Sequence, residues 1–251
     1  MMVSSAAHLI THFKSNRDLK IIQQTKGRFR GLFLCARLRV MFEKIDIYCE
    51  RTDFTLWAEP LNALTNAAFF VAAAMLYLLA KRESALDWKS VLLIGLIVVI
   101  GTGSTLFHTL ATVWAMLSDS LPILAFQICF IVLYCRFVLN WNCWRSGAML
   151  GAFFVAMGLA MNAPRGMMNG SVEYLPALFF VALLGLFHLK HAARERFGLL
   201  LAAGIFIVSV TLRSIDRDVC AAIPIGTHFL WHCLNGCVLY ASARAFILNR
   251  K

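Results

Sequence analysis

Ser104 and His108 lie four residues apart, as do His228 and His232, and both pairs fall in strongly apolar surroundings. On a helix that spacing puts each pair on one face, one turn apart. Three imidazoles with a fourth position left open are the ligand pattern of a catalytic zinc site. Two histidines at i and i+4 on one helix make a good ligand pair, and a third from another helix closes the site. Zinc would bring the pKa of a bound water toward ~7. Asp119 could orient that water or take its proton, and Ser104 could hydrogen-bond an oxyanion or a substrate carbonyl. Ionisable groups are costly inside a membrane segment, so their presence there points to function.

Taken alone, each residue has a plainer reading. His108 would be a core histidine bonded to a carbonyl. His228 and His232 would be a haem or proton-relay pair. Asp119, between Ser118 and Ser120 and shortly before Pro122, would cap a helix. Ser104 would bond back to its own helix or aid packing.

The surrounding chain is that of an all-α, polytopic membrane protein. Of its 251 residues 60% are hydrophobic, against about 45–50% in a soluble domain, and the mean hydropathy is +0.72. Seven apolar segments, near 61–80, 90–111, 120–140, 147–163, 173–190, 197–214 and 223–247, predict a seven-transmembrane helix bundle. The fourth and fifth are short and are expected to be buried against neighbours. Residues 1–40 form a basic extension with eight Lys or Arg and one acid, Asp18, expected to be disordered or to arise from translation upstream of Met41. Residues 41–60 form an acidic and aromatic pre-membrane segment in which Tyr48 and Trp57 suit a membrane interface. Residues 61–248 are the seven-helix domain. Cys129, Cys135, Cys233 and Cys237 lie in apolar runs and read as small core residues.

The net charge of +11 flanks the apolar runs. It therefore implies loops facing anionic lipid rather than nucleic acid, and a lipid bilayer as the main partner. With seven spans, eleven Lys or Arg fall on the C-terminal side and five on the N-terminal side counted from Met41. The positive-inside rule then places the C-terminus in the cytoplasm and the N-terminus outside or in a lumen. Under that orientation Ser104, His108, Asp119, His228 and His232 all lie at one depth, toward the outer leaflet. His188 and His191 fall at the other end among basic residues and read as interfacial.

These residues resemble the alkaline ceramidases, within the superfamily of seven-span hydrolases that includes the progestin/adiponectin receptors and haemolysin-III-like proteins. The matching stretches are Cys49-Glu50, Trp57-x-Glu59-Pro-Leu-Asn62, Gly101-x-Gly-Ser104-x3-His108, Asp119 and His228-x3-His232. The resemblance covers roughly residues 46–240. It implies zinc on His108, His228 and His232, with Ser104 and Asp119 assisting hydrolysis of the N-acyl amide of ceramide. It implies a disulfide between Cys49 and Cys220, which the charge count independently places on the outer side, where disulfides persist. It also implies calcium before the first span, with Glu50 and Glu59 matching and Asp46 and Asp53 compensating for Thr52, which stands where a ligand Asn is expected.

Three functions compete. The first is a zinc-dependent intramembrane amidase acting on ceramide or a related N-acyl lipid. The second is a receptor-like or haemolysin-III-like protein with a structural zinc, which a fourth protein ligand would favour. A transporter ranks last, since the chain shows no inverted repeat and no acids mid-span in several helices.

Overall fold

A computed structural model of the chain describes residues 39–164 and 166–251; the expected basic extension thus lies almost wholly outside the described residues. Seven long helices follow one another among these: α1 (Pro60–Arg82), α2 (Trp88–Leu110), α3 (Val113–Phe137), α4 (Cys143–Met161), α5 (Leu175–His191), α6 (Gly198–Ile215) and α7 (His228–Asn249). Six of them, α1 to α6, are long and apolar enough to cross a membrane, α5 together with the 3₁₀ turn before it. In α7 two histidines, Asn235 and Arg244 interrupt the apolar run.

Each helix packs on the next, and α7 returns onto α1, so the seven close into a ring. Odd helices leave from the end that carries residues 43–59, and even helices return to it. The core is formed by inward residues such as Leu76, Leu93, Ile97, Tyr134, Phe153, Leu184 and Phe246. Large apolar side chains point outward as well, among them Val71, Leu78, Val99, Val155, Phe179 and Leu201. A water-soluble protein seldom exposes so continuous an apolar belt, whereas lipid favours it. Of the six span-length helices α4 is the least buried, so its shortness does not reflect the enclosure expected for it.

Small residues set the closest helix contacts. A Cβ on Gly103 of α2 would sit 2.0 Å from the Ser118 carbonyl oxygen of α3. Pro122 lies inside α3 and has no N–H to give to that carbonyl four residues earlier, so the freed oxygen faces α2 where only a glycine fits. A Cβ on Gly236 of α7 would meet the Ala68 carbonyl oxygen of α1 at 3.1 Å, as expected where helices in lipid approach through small residues.

The α2–α3 connection is two residues long. Ala111 takes a left-handed conformation that closes α2, and Thr112 is the N-cap of α3. The segment before α1 laces onto this turn: Ile45 N–H donates to the Ala111 carbonyl at 2.8 Å and Val113 N–H to the Glu43 carbonyl at 3.2 Å. The Cys49–Cys220 disulfide ties the same segment to the α6–α7 loop, with the two Cα atoms 5.3 Å apart.

Candidate active site

His108 sits in the last turn of α2, while His228 and His232 occupy the first turn and a half of α7. The ring closure of the fold brings these distant segments together. One nitrogen from each imidazole lies within 4.8 Å of the others, the ring centroids are 4.6–5.2 Å apart, and none of the three side chains is more than 2% exposed.

Neighbouring groups fix the tautomers of two of them. His108 Nδ1 lies 2.5 Å from Glu59 Oε2; a carboxylate only accepts, so Nδ1 carries the proton and Nε2 keeps its lone pair. The Thr65 hydroxyl spends its hydrogen on the Leu61 carbonyl at 2.7 Å. It therefore accepts from His232 Nδ1 at 3.0 Å, which leaves His232 Nε2 as the free nitrogen. His108 Nε2 and His228 Nδ1 are buried without a hydrogen-bond partner. Such orphaned nitrogens are costly in an apolar interior. Three converging imidazoles, two of them with the outer nitrogen tied by a hydrogen bond, fit a zinc ion, and hydrogen-bonded second nitrogens are the usual support of such a site.

Asp119 lies two turns inside α3, because that helix starts at Val113 rather than near residue 120. It is therefore not a helix cap. Its carboxylate interacts with the Ser104 hydroxyl, and both, with His232, line one end of a cavity of about 780 Å³, its open mouth included. The remaining wall is mostly apolar, with Phe126, Phe130, Phe153, Phe180 and Leu184 reaching down the bundle. The Gly-x-Gly before Ser104 lets neighbouring helices approach closely: Gly101 abuts Phe69 and Phe70 of α1, and Gly103 abuts α3.

The four acids expected to hold calcium do not converge. Among the described residues the three histidines are the group of metal-capable side chains that comes together. Glu50 accepts the Leu61 and Asn62 N–H groups at 2.7 and 2.8 Å, capping the start of α1. Asp53 accepts from both the backbone N–H and the hydroxyl of Thr55, and Asp46 is exposed. Glu59 is turned inward, where it takes Arg51 Nε at 2.5 Å, Asn62 Nδ2 at 3.0 Å and His108. Burial pushes the Glu59 carboxyl up, but its bonds from His108, Asn62 and Arg51 outweigh that and hold it below the usual carboxylate range. These residues do not fit a calcium ion.

Several site neighbours escaped the sequence reading. Tyr48 is not an interfacial anchor: it stacks on His228 with centroids 3.7 Å apart, and burial raises its hydroxyl pKa. Asp216 is fully buried and accepts backbone N–H groups from Cys49, Thr227 and His228 at 3.1, 2.7 and 2.9 Å, which fixes the start of α7 beside the disulfide. Arg213 is buried against Tyr174 and Trp231 and donates to Ser171 Oγ at 2.8 Å. Acids and arginines near helix ends were visible, but not the loop geometry that turns them inward.

The chain matches the family model described as Ceramidase over residues 45–250. It belongs to the ceramidase family. Membership carries with it a hydrolase acting on the amide bond of ceramide in the membrane. No individual curated protein matches the chain.

At the other end of the bundle, His188 is not interfacial but fully buried. Its Nε2 donates to the Glu195 carbonyl at 3.1 Å and its Nδ1 accepts from the Tyr134 hydroxyl. His191 is exposed, as expected. Of the four cysteines assigned to the core, Cys135 is buried, Cys129 and Cys233 half-buried and Cys237 exposed.

Proposed function

We propose that this member of the ceramidase family is a zinc-dependent intramembrane amidase that cleaves ceramide, or a closely related N-acyl lipid, to a sphingoid base and a fatty acid. One observation carries the reading. Three buried imidazoles, two with orphaned nitrogens, converge at the head of an apolar cavity that also presents Ser104 and Asp119.

His108, His228 and His232 would hold the metal, which when bound supplies an acidified water and polarises the amide carbonyl. The apolar cavity wall receives an acyl chain and keeps bulk water from the amide. Asp119 takes a proton from the attacking water at its carboxylate and returns one to the amine nitrogen as the C–N bond breaks. Ser104 donates to the carbonyl oxygen as it gains charge. Hydroxide thus adds to the acyl carbon and the amine leaves with the proton, which balances the hydrolysis. No fourth His, Cys, Asp or Glu joins the three histidines among the described residues, which supports an open catalytic position over a structural zinc. In the same reading α7 is a seventh span and the site end faces the exterior or a lumen, where the disulfide persists.

Metal analysis joined to ceramide hydrolysis tests this. Purified protein is expected to carry about one zinc per chain, to lose hydrolysis on zinc chelation and to regain it when zinc is returned. Full hydrolysis by metal-free protein would sink the reading.

A further inference from the structure

The segment before α1 contains a buried charge that the zinc site does not need for ligation. Arg51 has a side chain 1% exposed, and its three nitrogens go to three different parts of the fold. Nε donates to Glu59 Oε1 at 2.5 Å, Nη1 to the Asp53 carbonyl at 3.0 Å, and Nη2 to the His108 carbonyl at 2.9 Å. The acceptors are a carboxylate and two carbonyls, all oxygens, arranged around one positive charge. That is the donor chemistry of a calcium site, yet here these three oxygens each receive an N–H from the guanidinium. Of the remaining acids, Glu50 is used by the start of α1 and Asp53 by Thr55, and Asp46 is exposed.

The guanidinium also reaches the metal site. Carbonyls in the last turn of a helix lack partners within it. The His108 carbonyl is one of these, and a cation there suits the helix dipole. Through its other edge Arg51 holds Glu59, whose second oxygen fixes the His108 ring by Nδ1. The backbone and the ring of one candidate ligand are thus set by the same side chain.

We propose that Arg51 is a built-in cation that takes the place of calcium before the first span, making this protein calcium-independent and positioning His108 through Glu59. Arg51 is a positioning residue, and its link to metal affinity rests on the three-histidine reading above. A planar fork with fixed N–H directions matches three separated oxygens in a way that a lysine ammonium does not.

The test uses the full-length protein in detergent, with zinc affinity read by competition against a chromophoric chelator and calcium binding read by direct titration. Wild type is expected to bind no calcium and to keep its melting temperature in millimolar calcium. Arg51→Met is expected to weaken zinc affinity about 10–100-fold, the usual effect of losing support for a ligand, and Arg51→Lys to fall between the two. Arg194→Met, which removes an exposed pair with Glu83 at the far end, is expected to leave zinc affinity unchanged, so general destabilisation is told apart from loss of positioning. Calcium binding by wild type, or zinc affinity in Arg51→Met within twofold of wild type, would overturn the proposal. Should Arg51→Met fail to fold, Arg51→Lys carries the zinc measurement. A wild type that holds no zinc defeats the amidase reading instead, and the calcium titration then decides this proposal alone.

Discussion

The two ends of the bundle use charge in opposite ways. At the end that holds the histidines, Arg51, Glu59, Glu50 and Asp216 are all buried, and each carboxylate accepts two or more N–H groups. At the other end Arg194 pairs with Glu83, Arg244 with Glu195 and Arg250 with Asp87, with at least one partner in each pair about a third exposed or more. Exposed pairs contribute little to stability, about 0–1 kcal/mol each. A buried charge that loses its partner costs about 3–5 kcal/mol. Losing an exposed pair therefore costs little, whereas the buried network must remain complete. The end with the costly buried charges is the one that surrounds the cavity head.

The largest expected effect is on chemistry at that end. Asp119→Asn should cut ceramide hydrolysis by about 10²–10⁴-fold, the usual contribution of a positioned proton-transfer group, with zinc content unchanged. Steady-state turnover and metal analysis on the same preparation check it. Equal loss of metal and activity would make Asp119 a support of the site rather than its proton carrier.

Next is the support of His108. Glu59→Gln keeps the size of the side chain but removes its charge, and should weaken zinc affinity about 10–100-fold. Unchanged affinity would erase the contrast between the ends, since Glu59 would then be no more than another ion-pair partner.

A third test concerns packing. Gly103→Ala forces a methyl against the Ser118 carbonyl, and overpacking of this kind costs about 1–3 kcal/mol. The melting temperature in detergent should drop, and hydrolysis with it, because Ser104 and Asp119 sit on the two helices being pushed apart.

The smallest effects belong to the far end. Asp87 caps α2 by accepting the Lys89 and Ser90 N–H groups at 3.1 Å. Partial burial pushes its carboxyl up, but bonds from Arg250, Ser90 and Lys89 outweigh this and bring it down to about 2. A depressed carboxylate stabilises the fold above its unfolded pKa, near ~4, and that stability is lost as pH falls from there toward about 2. Since the side chain is 35% exposed, screening limits its ion pair to less than ~1 kcal/mol. Asp87→Ala should therefore cost about 1 kcal/mol through the lost cap, flatten the acid limb of thermal stability and leave zinc affinity untouched. A change in zinc affinity would break the separation of the two ends.

Much of this was legible in the sequence, and the reason differs by residue. Hydropathy located the seven helices because each must bury an apolar face in lipid or protein. His108, His228, His232, Asp119 and Ser104 stood out because polar groups are rare in such runs, and alternation of spans placed them at one depth. The start of α3 was misplaced by seven residues because Ser118, Asp119 and Pro122 imitate a helix start, while the true N-cap, Thr112, makes no side-chain cap bond. The resemblance implied calcium at Glu50 and Glu59, and the sequence did not correct it, because an acidic cluster reads alike whether its oxygens face a metal ion or N–H groups. Only the loop conformation shows that Glu59 faces Arg51 and that Glu50 faces the backbone N–H groups at the start of α1. Tyr48 and Asp216 were hidden for the same reason: their roles depend on a chain crossing that the Cys49–Cys220 bridge secures and that no local spacing encodes.

The proposed amidase chemistry requires the three histidines to hold the catalytic metal. Its most direct test is zinc content and ceramide hydrolysis measured together on wild type and His232→Ala. Wild type is expected to retain zinc and hydrolyse ceramide, and His232→Ala to lose both. A His232→Ala protein that folds, lacks zinc and still hydrolyses ceramide at the wild-type rate would contradict it.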